Sequence, residues 1–285
     1  MAENSSGLIF ASTPTIEGAG VKLSRVFGFH EVPRLDPFLL LDDFHSENPD
    51  DYIRGFPWHP HRGIETVTYM LRGNIEHGDS IGNKGVIGSG DVQWMTAGSG
   101  IIHQEMPLET KGMLQGFQLW INLPAEDKMI SPRYREIKSA DIPAAEFDSG
   151  VTVKIIAGTL EGITGPVQDI VRAPSYYHVM LPCGAQFSIQ YRKDENCFAY
   201  IFKGSGSFNA GEGAEINSGT GIFFSPGKPG GAVSAAAGDS GMEFLFISGK
   251  PLNEPIAWRG PIVMNTEEEL NLAFREYQNG TFLKS

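Results

Sequence analysis

Short apolar runs separated by glycine and proline fill most of the chain, and few of them keep a helical period. Residues 66–71 are β-branched and aromatic and close at Arg72-Gly73, while Val92-Gln93-Trp94-Met95 runs into the small residues 96–100. Each reads as a strand. Residues 116–123 place Phe117, Leu119 and Ile121 on one face, which reads as core. The runs 21–29 and 38–44, punctuated by Pro33 and Pro37, predict two further strands. Asp42-Asp43, behind Leu39-Leu40-Leu41, read as solvated turn formers. Glycines at 80–85 and 88–91 mark hairpin turns. The clearest helix comes at the end: Thr266 and Glu269 form a capping box, Leu270, Ala273, Phe274 and Tyr277 an apolar stripe, and Asn279-Gly280 a stop. It is expected to pack on the β-structure.

The pattern then repeats. Ala199-Tyr200-Ile201-Phe202-Lys203-Gly204 matches Thr68-Tyr69-Met70-Leu71-Arg72-Gly73, and Gly219 and Gly227 are spaced like Gly90 and Gly98. A charged, proline-flanked stretch at 124–147 separates the copies, so the expected domains are 1–135 and 136–285. In that register His59, His61 and Glu65 fall opposite Gln190, Arg192 and Asn196, and His103 and Glu105 opposite Ala232 and Ser234. Only the first half offers metal ligands. Lys203-Gly204-Ser205-Gly206-Ser207 reads as a hairpin turn and not a phosphate cradle, because no helical pattern follows it.

Composition narrows the function classes. A hydrophobic share of 41% over 285 residues suffices for packed cores, and 35 glycines with 18 prolines suit an all-β chain. A net charge of −12 with no basic-aromatic run argues against direct nucleic-acid binding. Cys183 and Cys197 alone suggest a reducing compartment, and no apolar stretch has signal-peptide or membrane-span length. The expected location is the cytoplasm, or the nucleus in a cell that has one.

Two short clusters carry the candidate chemistry. His59-Pro60-His61 places two imidazoles on one face of a strand, with Glu65 four residues on, and His103-Gln104-Glu105 is a second same-face pair. Such N/O donors suit a divalent transition metal and leave positions for substrate or dioxygen. His30, His45, His77 and His178 lack such company and read as structural.

The runs from His59 to Tyr69, Gly90 to Gly98 and Gly100 to Met106 closely resemble the pirin family of the cupin superfamily, and Phe38-Leu39-Leu40-Leu41-Asp42 and Gly116-Phe117-Gln118-Leu119-Trp120 look like it too. The resemblance implies an all-β bicupin, two jelly-roll barrels with a short C-terminal helix, and one iron in the first barrel. Its ligands would be His59, His61, His103 and Glu105, with Glu65 left to orient a histidine from outside the ligand set. The same donors would accept manganese, nickel, copper or zinc. The implied activity is quercetin 2,3-dioxygenase-like, acting on an aromatic small molecule and O2, with Glu105 as ligand and base. The alternative is an iron-binding, redox-sensing regulator that acts through a protein partner.

Overall fold

The computed structural model describes residues 2–4, 7–32, 34–108, 112–209, 214–224 and 231–284. The chain folds into two compact units, one of residues 14–139 with 252–285 and the other of 1–13 with 140–251. The change at 139/140 falls inside the charged stretch, but both tails lie in the unit opposite to the one a 1–135 and 136–285 division gives them. Pairing and burial are the reason. Strand Gly7–Ala11 extends the edge strand Thr220–Phe224 through Ile9 opposite Ile222. The tail residues Ile262, Met264, Leu270 and Ala273 bury themselves in a cluster that includes Ile102. A composition shift marks a linker and says nothing about which sheet edge a tail completes.

The first unit is built from two larger sheets and a two-stranded ribbon of Ala257–Arg259 and Ile262–Met264. The larger runs Arg133–Ile137, Val92–Thr96, Ile64–Arg72, Leu114–Asn122, Phe38–Ser46, Val21–Phe27, Thr13–Glu17, and the smaller Phe56–His61, Ile101–Pro107, Ile75–Asp79, Lys84–Ile87. Antiparallel register puts Gln93 opposite Thr68, Thr68 opposite Gln118, Gln118 opposite Asp42, and Asp42 opposite Arg25. Directly opposed residues share a face, so these five form one polar row across five strands. Val67, Leu119 and Leu41 form the neighbouring row on the reverse face and are fully buried. Phe117 and Ile121 are buried on that same face, as their alternation predicted. Asp42 and Asp43 are not solvated turn formers: they lie inside strand Phe38–Ser46, 5% and 7% exposed. The strand continues past them because its partner supplies the ladder bonds.

Gly63 is the corner between the sheets. Its φ of +77° and the Val263 carbonyl, which a Cβ would strike, leave glycine alone at that position. The small residues after Met95 serve backbone crowding of the same kind. Gly98 lies against the Ile130 carbonyl and Gly100 against Phe282, and neither lies against the histidines.

The second unit centres on Ser175–Leu181, Asn196–Phe208, Thr220–Phe224 and Ala232–Gly249 in a ten-stranded sheet. The repeat is visible in the backbone: Gly73 and Gly204 have φ of +85° and +72°, and Gly90 and Gly219 have +86° and +82°. Gly227 and Pro33 lie outside the described residues. The segment 203–207 is not a hairpin turn, since strand Asn196–Phe208 runs through it with register shifts at Ile201/Lys203 and Gly204/Gly206. Cys183 and Cys197 are both free.

Helix Glu267–Gln278 carries the predicted capping box, buries Leu270 and Ala273, and stops at Asn279. Arg62 ties it down: Nη1 donates to Glu276 at 2.7 Å, Nη2 to the Phe282 carbonyl at 2.7 Å, and the guanidinium covers the Phe282 ring. Among the described residues no helix is long and apolar enough to cross a membrane.

Candidate metal centre

The pleat of Phe56–His61 turns His59 and His61 to one side, and antiparallel pairing with Ile101–Pro107 sets His103 opposite His59. Three imidazoles therefore meet. The Nε2 atoms of His59 and His61 are 3.1 Å apart, and those of His103 and His59 2.9 Å apart. His59 Nδ1 donates to the Pro57 carbonyl at 2.9 Å, and His61 Nδ1 to the Pro261 carbonyl at 3.0 Å. A carbonyl only accepts, so in both rings Nδ1 keeps the proton and Nε2 presents its lone pair. Burial holds the proton affinity of His61 and His103 well below the ordinary histidine value, and the neighbouring imidazoles lower it further. Those two rings are neutral.

Lone pairs this close repel unless a cation draws them together. Metal–nitrogen bonds of about 2.0–2.1 Å at right angles separate two nitrogens by about 3 Å, which matches the spacing present. The donor set thus fits a divalent transition metal bound by three imidazoles, with further positions left open.

Glu105 is the next inward residue on the His103 strand, 6% exposed, and a register shift separates it from the histidine pairing. Its Oε1 accepts from Thr68 Oγ1 at 2.8 Å and Gln93 Nε2 at 3.2 Å. It lines the same cavity as His59 and His61 but is not one of the three clustered ligands. Thr68 Oγ1 also lies 2.6 Å from Gln118 Oε1, so its single proton serves one acceptor at a time.

Glu65 does not join the site. The corner at Gly63 moves the chain into the other sheet, and Glu65 lies on the reverse face from Thr68, accepting from Thr96 Oγ1 at 2.7 Å. Burial pushes its carboxyl up to about 7. The part expected of it, orienting an imidazole, is taken by the Pro57 and Pro261 carbonyls.

Two residues near the centre were read as structural or solvated. His77 is fully buried, its ring 5.5 Å from that of His103, stacked on Tyr134, with Nε2 3.0 Å from Asp79 Oδ2. His77-Gly78-Asp79 has the spacing of His103-Gln104-Glu105, but its imidazole pairs with Asp79 and stays outside the cluster of three, in keeping with a structural part. Asp42 is the other, and an acid inside an apolar run was its signal.

His59 and His61 open into a cavity of ≈ 660 Å³ lined by Trp120, Trp258, Phe29, Leu40 and Phe44 among others. Trp120 stands edge-on to His61 at 5.0 Å.

A jelly-roll unit that gathers three imidazoles beside a cavity has the architecture of a cupin. Comparison with known sequences agrees. Residues 20–121 match the pirin family profile and residues 176–283 that of the pirin C-terminal cupin domain. A pirin-like protein of Caulobacter vibrioides is 42% identical over 96% of this chain and 97% of its own. Pirin-like protein 2 of Arabidopsis thaliana is 44% identical over 93% of this chain and 81% of its own. The crystal structure of a quercetin 2,3-dioxygenase from Acinetobacter baumannii superposes with a TM-score of 0.88 at 31% identity, covering 97% of this chain and 98% of that one. The chain belongs to the pirin family and has its bicupin fold.

Proposed function

We propose that this protein is a metal-dependent dioxygenase that opens the ring of a flavonol or a similar enolisable aromatic with O2. The observation that carries the reading is the convergence of three imidazole Nε2 atoms, two on rings whose tautomer a backbone carbonyl fixes, beside a cavity of ≈ 660 Å³ that His59 and His61 line. The name of the Acinetobacter relative supports the substrate class. His59, His61 and His103 hold the ion, which we take to be iron, and Glu105 contributes the carboxylate. A divalent ion there supplies Lewis acidity toward an enolisable substrate. Both recorded bonds to Glu105 fall on Oε1, so Oε2 is the oxygen that binds or takes the substrate hydroxyl proton. Thr68 and Gln93 hold that carboxylate in one orientation. Trp120 and Trp258, inclined 45° to each other, give the substrate rings an aromatic wall.

The test is oxygen uptake with quercetin by metal-loaded protein, beside metal content, for wild type, His59→Ala and Glu105→Ala. Uptake in the wild type is expected to vanish in both variants, with ion content falling in His59→Ala. A fully loaded wild type that consumes no oxygen with any flavonol sinks the proposal.

A further inference from the structure

The ring-opening reading leaves a second polar group of the cavity unused. Arg25 grips Asp42 with two parallel bonds, Nε to Oδ1 and Nη2 to Oδ2, each 2.8 Å, and its Nη1 lies 2.9 Å from Glu17 Oε1. All three side chains line the cavity that His59, His61 and Glu105 also line. Along the polar row Asp42 stands two strands from Thr68, which bonds Glu105, so the two carboxylate groups are on the order of 10 Å apart.

Charge and hydrogen-bond capacity say what this group takes. Two carboxylates meet one guanidinium, and each carboxylate has about four lone-pair sites, more than Arg25 fills. The group is short of donors and carries surplus negative charge, so it favours hydroxyl or N–H groups and repels an anion. Burial also pushes the Asp42 carboxyl up to about 6, so an added donor would ease the cost of its charge. The wall beside it is aromatic: Phe29 meets Trp258 at 5.5 Å, and Trp258 meets Trp120 at 6.0 Å. Trp120 brings an independent pointer, a buried indole N–H with no hydrogen-bond partner, on the residue that touches His61. The cavity wall thus carries, at Asp42 and Glu17, acceptor capacity that Arg25 does not fill.

We propose that Asp42 and Glu17, held by Arg25, form a subsite that accepts hydrogen bonds from hydroxyl groups on the outer ring of an aromatic substrate, the ring farthest from the histidines. The assignment rests on the ring-opening reading for which end of the ligand faces the histidines. The subsite makes the protein selective for polyhydroxylated aromatics over unsubstituted or carboxylated ones.

Equilibrium dialysis of metal-loaded protein with quercetin, which has two outer-ring hydroxyls, and galangin, which has none, tests this. Quercetin is expected to bind about tenfold more tightly, as a hydrogen bond to a charged group suggests. The preference is expected to fall toward one in Asp42→Asn and several-fold in Glu17→Gln. Glu17 is half-exposed, so that variant keeps the test sound even where Asp42→Asn fails to fold. Equal wild-type affinities, or a preference unchanged in Glu17→Gln, overturn the subsite. Oxygen uptake measured in parallel separates the two ideas. A binding preference without uptake removes the ring-opening reading and keeps the subsite, whereas uptake with equal affinities does the reverse.

Discussion

The two units repeat one strand pattern and fill it differently. In the second unit the described interior is apolar: Phe208 packs on Phe224 and Phe244 at 5.6 and 5.2 Å, Tyr177 stacks on Phe246, and Val153, Ile155 and Ile201 are buried in the same cluster. In the first unit the matching volume is a cavity crossed by the row Gln93, Thr68, Gln118, Asp42 and Arg25, with histidines on the facing sheet. The same fold thus serves as packed ballast or as a site, according to which side chains point inward. Inward aromatics give stability from burial, while inward polar groups give it up for binding.

The largest effect that would break this comparison is a hole in the packed unit. Phe244→Ala is expected to cost about 3–5 kcal/mol of stability while metal content per folded protein stays unchanged. Denaturant unfolding and metal analysis check both halves. Next comes loss of an imidazole. His61→Ala is expected to lower metal affinity at least about a hundredfold, since even residues that only support ligands cost 10–100-fold, and to abolish oxygen uptake with little change in fold.

Glu65 gives a pH signature. Its folded-state value of about 7 lies above the ordinary 4.5, so between those values the folded protein binds more protons than the unfolded chain. Stability is therefore present below about pH 4.5 and lost as pH rises toward 7. Glu65→Gln is expected to remove that slope and to gain on wild type by up to roughly 3 kcal/mol near neutral pH. Parallel melting curves with no pH-dependent gap would refute it. The smallest effect belongs to the polar row. Thr68→Val leaves Gln93 alone on Glu105 and is expected to lower kcat about tenfold, the worth of one charged hydrogen bond, with metal content intact.

Much of the centre was legible because it depends on local periodicity. Two-residue spacing fixes one face of a strand, so the His59-His61 pair could be read directly, and helix capping is likewise confined to a few neighbouring residues. Glu65 misled for a related reason. The i+4 spacing assumes an unbroken strand, and the turn at Gly63 sends the next residues to another sheet. Asp42 went unread because its importance depends on an opposing partner in another strand, Arg25.

By itself the sequence determined the all-β class, the repeat, the terminal helix and the three histidines, since these follow from residue spacing, from the match between the two halves and from the family resemblance. Tertiary structure decided which tail completes which unit, that the Pro57 and Pro261 carbonyls set the tautomers, and that five residues from five strands align as one row. Those depend on backbone atoms and cross-strand register, which are settled only when distant segments pair and bury a shared face.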